Sequence, residues 1–353
     1  MIGISLDIFR EHLRTIVNHI NDATKKDALI TKASTLDPVA YGELKAHKNQ
    51  EAEFRYKAVV ISAYGAFEKF IELLLEEYIH EQSKLIPKFS GLDKRIQDNY
   101  IDNWKTLHGN LQSQKFSDLK AEELVKNLYQ VIHDDSSHIM PECYMKLNGN
   151  YKSSVIHEML LSIGINNDEM RKYYHVPEDD PITFNTIVEK LDELVARRHV
   201  IAHTPGKQDD LVSDEILLTN IGLLLVYAET LCAFLRDKLL EHRWISIMNY
   251  QEVITPHQAR DVRQVLTFND VKHFGIELNQ QVLVQLPEET YPRYSETKVD
   301  GITIQENAED ETTSVEKLDA TKNYYEVSMH FESPEVIKRH VKIVAIPVAK
   351  EEK

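Results

Sequence analysis

The chain has 353 residues, 42% hydrophobic and 28% charged, an ordinary globular composition long enough for the core of one large or two medium domains. Lys and Arg total 41 against 57 Asp and Glu, a formal charge of −16, so net charge offers no grip on a polyanion and any nucleic-acid contact has to be local. The two cysteines, Cys143 and Cys232, lie far apart and outside any metal-ligand spacing, which speaks against a disulfide framework and fits a reducing compartment. Met1 to Arg10 lacks a basic flank followed by an apolar run, does not read as a signal peptide, and leads us to expect a cytoplasmic protein.

In chain order, Leu6, Phe9, Leu13, Ile16, Val17 and Ile20 recur at helical spacing, predicting a first helix from Ser5 to about Ser34 before the loop-like Thr35-Leu36-Asp37-Pro38. A second and stronger helix is predicted from about Glu51 to Ser83, with Val60, Ala63, Tyr64, Phe67, Phe70, Ile71, Leu74, Leu75 and Tyr78 on one broad face. Glu68 lies at the edge of that face. Between Gly91 and Tyr151 the pattern weakens, with helices expected near Asp93–Leu107 and Asp118–Ile132. The break His133-Asp134-Asp135-Ser136-Ser137-His138 has metal-ligating residue types but no spacing that fixes their geometry, so a solvated turn is the simpler reading. A short helix follows over Ser153–Ile163, then a loop rich in Asn, Asp and Pro from Asn166 to Pro181.

The next helix begins near Thr183 and must end near His203, because Pro205 disfavours helical geometry at Thr204. After a polar turn, Lys207 to Asp210, a long apolar helix opens at Ser213-Asp214-Glu215 and extends to about His242. Within it Ile216 to Leu235 is a run of twenty residues whose only charge is Glu229. Thr219, Asn220 and Gly222 interrupt the run, so it reads as the central helix of a bundle rather than a membrane span.

The character changes near Trp244. Gln281–Gln285, Ile302–Gln305, Tyr324–Phe331 and Val341–Val348 read as strands, and the acidic stretch Asn307–Thr321 as a loop or hairpin tip. The expected fold class is therefore α+β, an all-α bundle over residues 1–243 followed by a small β-rich domain over 244–353. Beyond Arg243 there are 12 basic and 19 acidic residues, a poor balance for a general RNA-gripping module.

One helix carries an anomaly. Ile187, Val188, Leu191, Leu194, Val195, Ile201 and Ala202 form an apolar stripe, and Arg198 sits in its middle. His199 and His203, four residues apart, occupy the helix end beside it. Three readings are open. Arg198 could snorkel or pair with an acid such as Glu68 or Glu229, leaving the histidines as helix-end residues favoured by the macrodipole. The two histidines could chelate a metal, although the Glu and third ligand of a zincin are missing.

The third reading is phosphodiester cleavage. An arginine beside histidines supplies a proton acceptor for a 2′-hydroxyl, a proton donor for the 5′-oxygen and a fixed cation for charge on the pentacoordinate phosphate. Arg198 and His203 lie roughly 140° apart on an ideal helix, so two copies meeting across a two-fold axis would assemble a fuller site, with the stripe as their interface.

Arg198-His199-Val200-Ile201-Ala202-His203 matches the Arg-x4–6-His signature of HEPN domains and resembles the RiboL-PSP-HEPN branch. Arg55 to Tyr78, including the aromatic-Glu-x-aromatic segment Phe67-Glu68-Lys69-Phe70, resembles that branch's long helix. The resemblance covers the chain to about His242. It implies a helical, homodimeric, metal-independent endoribonuclease of defence, toxin–antitoxin or RNA-processing systems, needing no cofactor. Carried onto this chain, it makes Arg198 the phosphate-stabilising residue, His203 the acid/base, His199 the polar neighbour and Glu68 a supporting acid. Arg197, which also satisfies the spacing, and Lys207 are assigned to substrate binding. The expected partners are RNA, a second copy and a cognate inhibitor or defence partner, without a membrane. A HEPN module lacking activity and serving as a dimerisation or partner scaffold is the alternative; a DNA-binding or signalling adaptor would have to rely on the acidic β region.

Overall fold

The computed structural model describes residues 2–33, 38–146, 150–174, 182–203, 211–248, 256, 258–260, 265–272, 275–287, 290–319, 321–333 and 341–346. The helices among them are α1 (Ile4–Ala33), α2 (Pro38–Leu85), α3 (Lys94–Gly109), α4 (Ala121–Ile132), α5 (Ser153–Ser162), α6 (Phe184–His203) and α7 (Asp214–Met248). The strands are β1 (Gln258–Arg260), β2 (Val265–Lys272), β3 (Gln281–Gln285), β4 (Tyr294–Gln305), β5 (Thr313–Ser314), β6 (Asn323–Phe331) and β7 (Lys342–Ala345). An all-helical region followed by an antiparallel sheet makes the chain α+β. It divides into two compact units, Met1–Cys232 and Ala233–Lys353.

In the first unit α2 is the spine. It buries Tyr56, Val60, Ala63, Tyr64, Phe67, Phe70, Ile71, Leu74, Leu75 and Tyr78 on the face that its period marks as apolar. Phe9 of α1 stacks on Phe70 at 4.9 Å, and Tyr227 of α7 lies 5.9 Å from Phe67 and 6.2 Å from Phe184 of α6. Polar ties fix the same helices. Arg10 pairs with Glu229 at 2.8 Å, and Arg55 with Asp214 at 3.1 Å. Although α7 is long and apolar enough to cross a bilayer, Leu217, Ile221, Leu224, Tyr227, Ala228 and Leu231 are buried, as expected of a bundle's central helix.

α2 begins earlier than predicted, at Pro38; Pro is tolerated in a first helical turn, and the following stretch is rich in good helix formers such as Ala, Glu, Leu, Lys and Gln. The expected loop after Asn166 begins instead with a 3-10 helix over Asn167–Tyr173 that buries Met170 and Tyr173 and is capped by the Asn166 side chain, whose Oδ1 accepts from Asp168 N at 3.1 Å. Residues 175–181, with Pro205 and the turn from Lys207 to Asp210, lie outside the described residues.

Asp93 caps α3, accepting from Arg95 N at 2.8 Å. Gly164 closes α5 against that cap with φ of +79°, and a Cβ there would stand 2.7 Å from the Asp93 Cβ. Gly164→Ala therefore meets both a left-handed backbone and a clash, and is expected to cost about 1–3 kcal/mol. Thermal unfolding followed by circular dichroism should show a Tm lower by several degrees; an unchanged Tm would mean that the turn relaxes freely.

In the second unit the sheet runs β1-β2-β6-β4-β3-β7, all pairs antiparallel, with β5 on β4. Val282 and Val284 belong to one core with Phe268, Val299, Val327, Met329 and Phe331. Leu283 faces the other way, onto Leu240, Trp244 and Ile247 of α7 with Tyr294, Val344 and Ile346. Burial on both faces explains the continuous apolar run in β3. It also explains why α7 continues to Met248 rather than ending near His242. Leu240, Trp244 and Ile247 keep the helical period and have a surface to cover. Asp237 accepts from Tyr294 N at 2.8 Å, and Arg243 pairs with Glu296. The stretch from Asn307, expected to be a loop or hairpin tip, turns back so that the short β5 pairs antiparallel with β4, and it also buries Leu318.

Candidate active site

Two helices and one short turn converge on a cleft of about 960 Å³, lined by residues of α2, α6 and the 3-10 turn Gln114–Phe116, with Asn150 at one edge. α6 is seated by Ile187, Leu191 and Val195, which are buried in the bundle. This corrects the reading of its stripe as an interface with a second copy, because the first half of the stripe belongs to the chain's own core. Only the last turn is open, and it presents Arg198, His199 and His203 to the cleft.

The Arg198 guanidinium lies over the ring of Tyr64 on α2, 5.0 Å from its centroid. Tyr64 is buried, and its hydroxyl accepts from Tyr151 N at 3.0 Å. Burial pushes that phenol up to about 12, so the ring under the cation stays neutral at ordinary pH. Among the described residues Arg198 makes no hydrogen bond or ion pair. Glu229, one of the acids considered for it, is taken by Arg10. The guanidinium fork is thus held by an aromatic face, and among the described residues its donors have no partner, an arrangement suited to phosphate oxygens.

His199 and His203 stand side by side with ring centroids 4.5 Å apart, both exposed. The wheel separates Arg198 from His203, yet both line this one cleft, because a long arginine side chain laid on Tyr64 spans the angular gap. Glu68 lines it too, half-buried. Burial raises its carboxyl above the ordinary range and Glu72 adds to the rise, while Lys115 and Arg198 pull it back. Lys115 stands 3.9 Å from the Glu68 carboxylate, which is only partly exposed.

Arg197 is not brought to the cleft. Its Nε and Nη2 donate to Glu193 Oε1 at 2.8 and 2.6 Å, and its Nη1 to the Tyr56 hydroxyl at 2.9 Å, beside an apolar pocket with Val59, Val60 and Leu194. Lys207 lies outside the described residues. In the break after α4, Asp134 accepts from Ser90 N and Oγ at 2.8 and 2.9 Å, and the His133 ring stacks on Tyr129 at 4.0 Å. The His138 ring stands 6.1 Å from that of His80, so the histidines and Asp134 have separate local partners. Among the described residues no three His, Cys, Asp or Glu side chains are gathered to hold a metal ion.

Sequence reasoning passed over Tyr64, Lys69, Glu72, Ser113, Gln114, Lys115 and Asn150 as lining or supporting residues of this cleft. For two of them, Tyr64 and Glu72, a signal existed. Tyr64, Glu68 and Glu72 follow one another at i, i+4 and i+8 along one edge of α2. Lys115 sits where no periodicity is strong, and only Phe116, buried with Leu107 and Leu124, explains how its turn is anchored.

A search of curated proteins returns no match to the chain. The family model for RiboL-PSP-HEPN matches residues 13–237, which takes in every residue of the cleft and leaves the sheet outside. With more than half of its length matched, and with the helical unit as the matched part, the chain belongs to the RiboL-PSP-HEPN family of HEPN domains.

Proposed function

We propose that this protein is a metal-independent endoribonuclease that cleaves RNA by 2′-hydroxyl attack, leaving a 2′,3′-cyclic phosphate, and that it acts as a homodimer in prokaryotic defence or a toxin–antitoxin system. HEPN domains are commonly RNases, and they often bind RNA and dimerise. The observation that carries the reading is the Arg198 guanidinium, laid on Tyr64 and without a hydrogen-bond partner among the described residues, beside two adjacent imidazoles in one open cleft.

The chemistry follows from residue types. Arg198 stabilises charge on the non-bridging oxygens as the phosphorus becomes pentacoordinate. His203 takes the 2′-hydroxyl proton as the O2′–P bond forms, and a second imidazole protonates the departing 5′-oxygen. His203 of a second copy, or His199 of the same chain, supplies that second group. Lys69, exposed at the cleft, adds local positive charge that the net charge of −16 does not provide.

A test uses purified full-length protein and a single-stranded RNA in EDTA. Fragments ending in 2′,3′-cyclic phosphate should accumulate, and His203→Ala, folded and in the same oligomeric state, should cut at least ~100-fold more slowly. Intact RNA with the wild type, or an undiminished rate with the variant, would sink the proposal and leave the scaffold reading.

A further inference from the structure

We propose that Lys115 is a positioning residue of this cleft, an ammonium shared between Glu72 and Glu68 that governs when Glu68 is ionised and so the pH range in which the cleft works; this rests on the cleavage reading above. Lys115 projects from the 3-10 turn Gln114–Phe116, whose Phe116 is buried with Leu107 and Leu124. Its Nζ donates to the Lys146 carbonyl at 2.6 Å, lies 3.4 Å from the Tyr151 hydroxyl and sits over the Tyr151 ring at 5.4 Å. It is ion-paired with Glu72 and stands 3.9 Å from Glu68. Tyr151 also donates to Glu72 at 3.1 Å. The ammonium is therefore fixed from four sides rather than waving at the rim.

The side chains of Lys115, Glu72 and Glu68 are only 20%, 15% and 24% exposed, so water screens their charges far less than it does on an open surface. Glu68 and Glu72 are one turn apart on α2, and the charge of Glu72 disfavours ionisation of Glu68. One cation serves both, close to Glu72 and farther from Glu68, leaving Glu68 the less compensated carboxylate. The groups facing Glu68 are Tyr64 and Glu72 from its own helix, Lys115 and Tyr151 from the far wall, and Arg198 from α6, with Lys69, His199 and His203 in the same cleft. Burial raises both tyrosines, so neither adds a negative charge at neutral pH.

Among these contributions, burial and Glu72 push the Glu68 carboxyl up, and Lys115 and Arg198 pull it down. Lys115→Met removes a downward influence, so Glu68 holds its proton to higher pH. Glu72→Gln removes an upward influence and releases Lys115 toward Glu68, so the proton is lost at lower pH. The two variants thus move one group in opposite directions, whereas loss of packing alone would move neither.

The experiment is the pH profile of kcat/KM for RNA cleavage by the full chain, paired with a 13C-detected titration of the Glu68 carboxyl assigned by Glu68→Gln. The Glu68 carboxyl titration, and the part of the acidic limb that follows it, should move to higher pH in Lys115→Met, with a roughly tenfold loss of rate on that side that shrinks as the pH rises. It should move to lower pH in Glu72→Gln and return to the wild-type position in Lys115→Arg. A uniform loss at every pH with the carboxyl titration unmoved, or a shift of both variants in the same direction, overturns the proposal. Because the carboxyl titration needs no substrate, opposite shifts in a protein that leaves RNA intact would sustain the control by Lys115 and reject the cleavage reading alone.

Discussion

Arg198→Ala is expected to slow RNA cleavage by ~10²–10³-fold while the protein stays folded, the loss typical of removing one fixed donor from a charge-stabilising site. The asymmetry between function and stability follows from what the side chain touches. Its cation–π contact with Tyr64 contributes ~1 kcal/mol to folding, and among the described residues no hydrogen bond or ion pair is lost with it. Arg198→Lys should recover little, since an ammonium lacks the planar fork. The adjacent residue should behave in the opposite way. Arg197→Ala strips partners from Glu193 and from the buried Tyr56, so it should cost ~1–3 kcal/mol of stability, with the folded fraction cutting normally. Cleavage rates of a fluorogenic RNA together with Tm for both variants decide the matter. Normal cutting by Arg198→Ala, with activity lost in a fully stable Arg197→Ala, would reverse the assignment of the two arginines.

Phe67→Ala should be the most damaging single truncation in the helical unit, at ~3–5 kcal/mol. The ring is fully buried and lies 6.2 Å from Phe9, 6.1 Å from Phe70 and 5.9 Å from Tyr227, so one side chain joins α1, α2 and α7. Stabilities of natural domains are commonly only ~5–15 kcal/mol, which makes this a large fraction of the whole. Urea titration should show a lower midpoint with an unchanged slope. A loss below ~1 kcal/mol would mean that the neighbouring rings collapse into the space and that α2 is not the spine. Since Glu68 follows Phe67 directly and lies at the edge of the same apolar face, the variant should also lose cleavage at temperatures where the wild type is still folded.

Helical period alone determined α1, most of α2, and α5 to α7, because apolar residues recurring every 3.6 positions require no knowledge of what covers them. β6 was legible for the same kind of reason, at a period of two, and β3 as a short continuous apolar run. β2 was not. Its residues Val265 to Lys272 are half polar, and they become a strand through pairing with β6 along seven registered positions. The end of α7 escaped because its last turns are stabilised by Leu283, Val344 and Ile346, far along the chain.

At the candidate site the sequence alone determined which residues stand at the end of α6 and that an arginine on an apolar stripe needed an explanation. Direction and company were decided by the tertiary structure. Arg197 turns to Tyr56 and Arg198 to Tyr64, two residues of another helix that no local pattern ties to either. The first half of the stripe faces the chain's own core, and Lys115 reaches Glu72 and Glu68 across more than forty residues of sequence. Periodicity is a property of one helix and can be read from its residues. The partner of a charged side chain is set by which helices pack together, and therefore by the burial of the whole core.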